Sequence, residues 1–539
     1  MKKSKQSKNK TKHNIADEMT KISHLINQDR FKEALERIGN FEKLTLSNKT
    51  LLFNKSCFLI DIGYGLLDPK IVQEGLEIGE KNLTNFRNTE YEATIHYNLA
   101  NGYQSLYTLS ERIIGLEAIP KSENLQKAKL HFIEAIKPCD DLKFDLKKQI
   151  WTNYGNCLDT LGRGVEALYA YDETLKLDQH FSMAILNKAM ALCFFANISG
   201  KYRGAIYLEA YQAIKSILNN QDLIAMGGMG AKKVAENELQ KIEMLFKKKK
   251  DLLRKLKHPK YKRSILSAFE KFFIDYCIKE KLFLNLHVHQ EHCEAAINDP
   301  IFIQIITKHS NQRDRFYNLA KYINQIKEDY AVARLLLVQS QYKQKDFDNI
   351  STRTTFVNSL DYSEFNLYNG LLKSAFNEAF NILDKIAVFI NNYYDLGFKE
   401  ENIYFTSIRQ TKKAKHKESI WEDNDVIRGK ILKSKNVSLY AIYDIYKDFK
   451  SGTNKKLKNI RNALTHRKLV IFDSVLTDWD TREDKYNIGY NAMLNETIYL
   501  LHLSKSAIIY LINFVNIEEY KKIGNGTIVE MYIDTSQFL

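Results

Sequence analysis

Residues 151–178 read WTNYGNCLDTLGRGVEALYAYDETLKLD. From Trp151, Tyr154, Gly155 and Leu158 follow at offsets of 3, 4 and 7, and Ala167, Tyr171 and Thr174 at 16, 20 and 23. Such spacings lay one face of a first helix against one face of a second. Gly155 lets the two helices approach, while Ala167 and Tyr171 supply the facing small and large partners. Thirty-four residues on, Trp151 maps to Ile185, Gly155 to Ala189 and Leu158 to Leu192, inside ILNKAMALCFF. Upstream, past an insertion, His96, Leu99, Ala100 and Tyr103 read as another first helix, with Ala128, Phe132 and Ala135 on its partner. Weaker copies surround Ala34 in DRFKEALERI and Ser56 in LLFNKSCFLI. Repeated helix pairs over residues 14–224 are the reading; a helical bundle with chance spacing is the rival.

The segment resembles the tetratricopeptide repeat, whose large and small residues recur at these offsets within 34 residues. That resemblance implies a solenoid whose concave groove takes a peptide or another protein. Composition points the same way, to an all-α chain. Its 539 residues include 5 Pro and 22 Gly, where average usage gives roughly 27 and 38. Collagen, a disordered scaffold and turn-dense all-β folds are excluded. Tyr and Phe total 60 and 44% of residues are hydrophobic, enough for packed interiors. The six cysteines (Cys57, Cys139, Cys157, Cys193, Cys277 and Cys293) lie far apart, as reduced thiols of a cytoplasmic protein do. The start, MKKSKQSKNKTKH, is lysine-rich without an apolar run, so it is no signal peptide. The longest strongly apolar stretch, Ser506–Val515, falls short of the roughly 20 residues of a spanning helix. No membrane partner and no cofactor are expected.

The middle of the chain offers three temptations. AMGGMGAKKVAENELQ (225–240) has a glycine-rich turn before a helix, but no GK[ST] ending and no preceding β run to make a phosphate loop. The basic run 247–263 reads as a solvated helix end or as an RNA-guiding patch. His287, His289, His292 and Cys293 are zinc-type ligands, yet they bunch too tightly to wrap one tetrahedral ion and no second group lies at finger distance. No metal site is assigned. Beyond Arg313 the periodicity predicts one long helix or two.

The chemistry concentrates in KKLKNIRNALTHRKLVIFD (455–473), where Arg461 precedes His466 by five residues. Leu457, Ile460 and Leu464 space as a buried helical stripe, and Asn462 and His466 share another face at i, i+4. Arg461 and His466 then diverge by about 140° on an ideal helix. Cleaving RNA needs a proton carrier for the 2′-hydroxyl and a cation for the phosphorane. Histidine titrates near neutrality, and arginine's charged fork suits phosphate oxygens. Between 401 and 470 there are 17 Lys or Arg against 7 Asp or Glu, which is +10 of the chain's +15. Lys455, Lys456, Lys458, Arg467 and Lys468 flank the motif, an electrostatic footprint of phosphate binding. The rival is a solvated face around a structural His466. Residues 409–435 read as a polar loop.

The segment R-N-A-L-T-H (461–466) resembles the motif of the HEPN family, helical domains that often act as ribonucleases. The order of elements is similar too: a long helix over 368–397 with Asp384-Lys385 at its centre, a second over 437–449, the motif helix, and a closing helix over 487–515. The string Leu383-Asp384-Lys385-Ile386-Ala387 resembles a bacterial subgroup in which tetratricopeptide-like repeats precede the domain. The resemblance implies catalytic roles for Arg461 and His466. Asn462 is placed to hold the imidazole tautomer or donate to phosphate, and Asp384 is the carboxylate placed behind the motif to orient Arg461 or His466, an ordinary helix-surface or intramolecular salt bridge being its rival. The resemblance also implies RNA as substrate, a homodimer through the HEPN domains, and a setting in anti-phage defence or toxin-like arrest. The expected order is a basic disordered arm (1–13), repeats (14–224), a helical connecting region (225–355) and a HEPN domain (356–539). A non-catalytic repeat scaffold whose HEPN domain only binds RNA or nucleotide is the alternative function.

Overall fold

The computed structural model describes residues 17–45, 49–89, 91–138, 144–246, 266–286, 294–308, 313–357, 361–408, 420–421, 425–473, 487–522 and 527–530. The arm at 1–13, the basic run 247–263 and the group His287, His289, His292 and Cys293 lie outside them. By contact the chain divides into two compact units, Met1–Asn187 and Lys188–Leu539.

In the first unit, helix α1 (17–27) leads into α2 (Phe31–Thr45), α3 (Lys49–Gly65), α4 (Pro69–Asn82), α5 (Glu92–Leu106), α6 (Glu123–Ile136), α7 (Phe144–Thr160) and α8 (Gly164–Leu177). Helix α9 (Ser182–Ala196) begins in this unit. The hairpins α3–α4, α5–α6 and α7–α8 stack in order, with α4 against α5 and α6 against α7, a helical solenoid. Gly155 explains the closeness of α7 and α8: a β-carbon there would lie 2.4 Å from the Tyr171 ring. That ring is buried, and its hydroxyl donates to Asn156 Oδ1 at 3.0 Å. Leu158, Ala167, Tyr171, Phe181 and Ala184 close a shared core. The insertion that blurs the sequence period is a run of π and 3-10 turns over Tyr107–Lys121.

The second unit continues with α10 (Arg203–Ile217), α11 (Gln221–Leu245), α12 (Ala268–Lys279), strand β1 (Ile305–Lys308), α13 (Arg313–Gln341) and α14 (Lys345–Ser351). Then follow β2 (Ser363–Glu364), α15 (Leu367–Tyr394), β3 (Ile403–Tyr404), β4 (Ser407–Ile408), α16 (Asp425–Ser434), α17 (Val437–Ser451) and α18 (Lys455–His466). Strand β5 (Val470–Phe472), β6 (Asn487–Gly489), α19 (Tyr490–Lys521) and β7 (Thr527–Glu530) complete it. Gly228, at φ 66°, breaks α11 where the glycine-rich turn is expected. Past Arg313 there is one long helix, α13.

A four-helix core forms as α13 lies along α15, and α19 packs on α13, α15 and α17. Strand pairing adds what the helical reading lacks. β5 pairs antiparallel with β2 and parallel with β6, so one small sheet joins the start of α15, the exit of α18 and the start of α19. Two corrections follow. Residues 409–435 are not one polar loop: 425–434 form α16, and Trp421 is wholly buried. The apolar stretch Ser506–Val515 belongs to a 32-residue helix that is, by length and composition, able to cross a membrane. Its apolar window is 83% buried inside the protein, as befits the central helix of a bundle.

Candidate functional site

Helix α18 enters from a tight turn. Gly452 ends α17 at φ 93°, a left-handed conformation that favours glycine. The Asn454 amide then donates to the Asp448 carbonyl at 3.0 Å, and Tyr499 on α19 donates to Asn454 Oδ1 at 3.0 Å. Leu457, Ile460 and Ala463 are the buried stripe, with Leu464 at its half-buried margin. This seating decides where the motif side chains go.

Arg461 turns inward. Its guanidinium donates to Asp384 Oδ2 at 3.2 Å, and both side chains are mostly covered. Phe380 and Tyr404 lie 5.3 and 5.6 Å from the guanidinium carbon, ring faces toward the charge, an arrangement that attracts a cation. The other oxygen of Asp384 accepts the Phe405 amide at 2.7 Å. Burial pushes the Asp384 carboxyl up to about 6, against the lowering pull of the Phe405 amide and of Arg461. Its neighbour Lys385 faces the other way, toward Asp329 on α13.

Asn462 and His466 share the opposite, exposed face, and neither has a hydrogen-bond partner among the described residues. The structure therefore brings Asp384 to Arg461 and not to His466. Lys455, Lys456, Lys458, Arg467 and Lys468 are all exposed around the same helix. Lys456 is tied to Glu496 on α19 at 3.2 Å. A phosphate approaching α18 from solvent meets this basic rim and His466, while Arg461 is held at the helix flank.

Four participants are absent from the sequence reading: Phe380, Tyr404, the Phe405 amide and Trp421, whose indole donates to the Phe405 carbonyl at 2.9 Å. Phe380 sits one turn before Asp384 on α15, a spacing legible in principle. A main-chain donor on a two-residue hairpin leaves no mark in residue type. Among the described residues no cluster of three or more His, Cys, Asp or Glu side chains has the arrangement to hold a metal ion.

Residues 310–518 match the LA2681-like HEPN family. The match takes in α13, which the sequence reading assigns to the connecting region. Among solved structures, the C-terminal part of a TPR repeat-containing protein from Cytophaga hutchinsonii is similar at 14% identity, covering 44% of this chain and 99% of that one. Its TM-score of 0.20 is too low to indicate a shared fold. No curated protein matches the chain.

Proposed function

Residues 310–518 are an LA2681-like HEPN domain, and on that premise we propose that the chain is an endoribonuclease whose repeats control the HEPN effector. His466 takes the 2′-hydroxyl proton; the freed oxygen attacks the adjacent phosphorus and the bond to the 5′-oxygen breaks. The products are a 2′,3′-cyclic phosphate and a 5′-hydroxyl, the departing oxygen receiving its proton from water or from the His466 of a paired domain. Arg461 faces the charge gathered on the phosphorane, and Asp384 sets its direction. Asn462 holds the imidazole or donates to phosphate, while Lys455, Lys456, Lys458, Arg467 and Lys468 draw in the RNA backbone. The scheme uses no metal: its one carboxylate already serves Arg461, and hard divalent ions need several oxygen ligands.

One observation carries this reading. An arginine fixed by a buried carboxylate and two rings shares a helix with an exposed, unpartnered histidine. The test incubates the purified full chain with total RNA in EDTA and maps the cleaved ends. Discrete cyclic-phosphate ends, lost in His466→Ala, support the enzyme. Absence of cleavage at high protein moves the weight to a binder.

A second reading, a domain that holds RNA or nucleotide without cutting, draws on the same helix. Arg461 is engaged by Asp384 on one face while His466 lies on another, so a lone chain presents half a cleft. Pairing of two HEPN domains removes that objection for the enzyme. The groove of the repeats would take the peptide or protein that triggers it, in an anti-phage or toxin-like setting.

A further inference from the structure

Arg461 is aimed by a carboxylate, and the carboxylate is aimed by a hairpin. Asp384 Oδ1 accepts the Phe405 amide at 2.7 Å, and Oδ2 accepts Arg461 at 3.2 Å. Phe405 lies in the turn between β3 and β4, and Tyr404 beside it presents its ring to the same guanidinium. Two paired residues on each side cannot hold that turn by strand bonding alone. The turn is pinned from outside. Trp421, wholly buried, donates its indole N–H to the Phe405 carbonyl at 2.9 Å. Its ring packs on Phe405 at 5.6 Å and on Tyr446 of α17 at 5.9 Å. Phe449, on the same helix, touches both Phe405 and Phe380.

We propose that Trp421 is a positioning residue for Arg461, fixing the Phe405 peptide so that its amide holds Asp384 and Asp384 holds the guanidinium. The amide and carbonyl of Phe405 lie in adjoining peptide planes hinged at one α-carbon, so a carbonyl held by the indole and a ring packed on Trp421 and Phe449 together restrict the φ and ψ rotations by which the amide would leave the carboxylate. Without the indole bond, the pair Asp384–Arg461 keeps its charges but loses its direction. The inference rests on the ribonuclease reading for its kinetic consequence, and on geometry alone for the restraint of Arg461.

A double-mutant cycle tests it on the full chain, with Trp421→Phe, Asp384→Asn and both together. Phenylalanine keeps a ring in the aromatic cluster and removes the donor. Where that variant does not melt cooperatively, benzothienylalanine at position 421 replaces the N–H by sulfur at nearly constant volume. Two readouts are taken. In RNA cleavage, Trp421→Phe should lower kcat roughly fivefold, the scale of one lost hydrogen bond, with KM little changed. In the Asp384→Asn background the same change should add less than about twofold, because both act through one link. The second readout is the rate of phenylglyoxal modification of Arg461, resolved by mass spectrometry with Arg467 as internal reference. Trp421→Phe should raise it as Asp384→Asn does, with no further rise in the double variant. Effects that multiply, or an Arg461 rate unchanged by loss of the indole N–H, overturn the proposal. If no RNA is cut but Arg461 labelling follows the cycle, the ribonuclease reading fails and the positioning role stands.

Discussion

Asp384 carries opposite demands on one carboxyl group. Burial raises it from its ordinary 3.8 to about 6, yet the ion pair with Arg461 needs it ionised. A carboxyl raised in the folded state contributes stability below its unfolded value and loses it as pH climbs through the folded one. Between pH 4 and 7 the wild type should therefore lose stability relative to Asp384→Asn, by on the order of 3 kcal/mol. Denaturant melts of both proteins across that range check it; a constant difference would mean that the carboxyl is not buried as described. Cleavage should move oppositely, since Asp384→Asn frees Arg461 and should cost about tenfold or more in kcat. The sequence displays Arg461 and His466 through the spacing of the motif, and Asp384 as the carboxylate at the centre of a long helix. It hides Phe405 and Trp421, because a backbone amide has no letter and an isolated tryptophan in a polar stretch looks like loop.

Helices were legible through their periodicity, and the close crossing of α7 with α8 through one glycine. Gly155→Ala gains roughly 1 kcal/mol of helix propensity but drives a methyl into the buried Tyr171 ring, at a cost of about 1–3 kcal/mol. A net destabilisation is expected in thermal melts, and it should shrink when Tyr171→Leu makes room. The strands were not legible. Stretches of two or three residues are too short for an alternating pattern, and β2 meets β5 more than a hundred residues along the chain. The central helix α19 conceals another device. His502 donates to the Glu280 carbonyl at 2.6 Å and Lys505 to that of Lys281 at 2.8 Å, satisfying backbone groups just past the end of α12. Burial, with Lys505 and Lys281 nearby, lowers His502 to about 4, partly opposed by its backbone bond. A base depressed in the folded state contributes stability above its unfolded value, and acid removes it on the way to the folded one. Stability should fall from about pH 6.5 to pH 4, and His502→Gln, keeping a donor without the titration, should flatten that fall in acid melts.

At the scale of the molecule, the ribonuclease we propose would draw on a second copy of the HEPN domain to complete its cleft. Mixing inactive Arg461→Ala with inactive His466→Ala chains should restore part of the cleavage if one intact arginine and one intact histidine suffice. A monomer fully active in dilute solution, followed by light scattering, would refute the shared cleft while sparing the residues. Pairing also brings together two segments of charge +10, so the active dimer should require salt or RNA as counterion. The small sheet of β2, β5 and β6 has a consequence for the order of synthesis. The exit of α18 is secured only when β5 finds β6 behind it and β2 long before it. A chain still on the ribosome holds the motif helix without its clasp until Gly489 has emerged, and without its bonds to Glu496 and Tyr499 until α19 follows. Translation thus leaves the scissors unriveted until α19 has emerged. A chain stopped at residue 486 should leave the amides of 455–466 unprotected in hydrogen exchange, and protection equal to that of the full chain would refute this order of assembly.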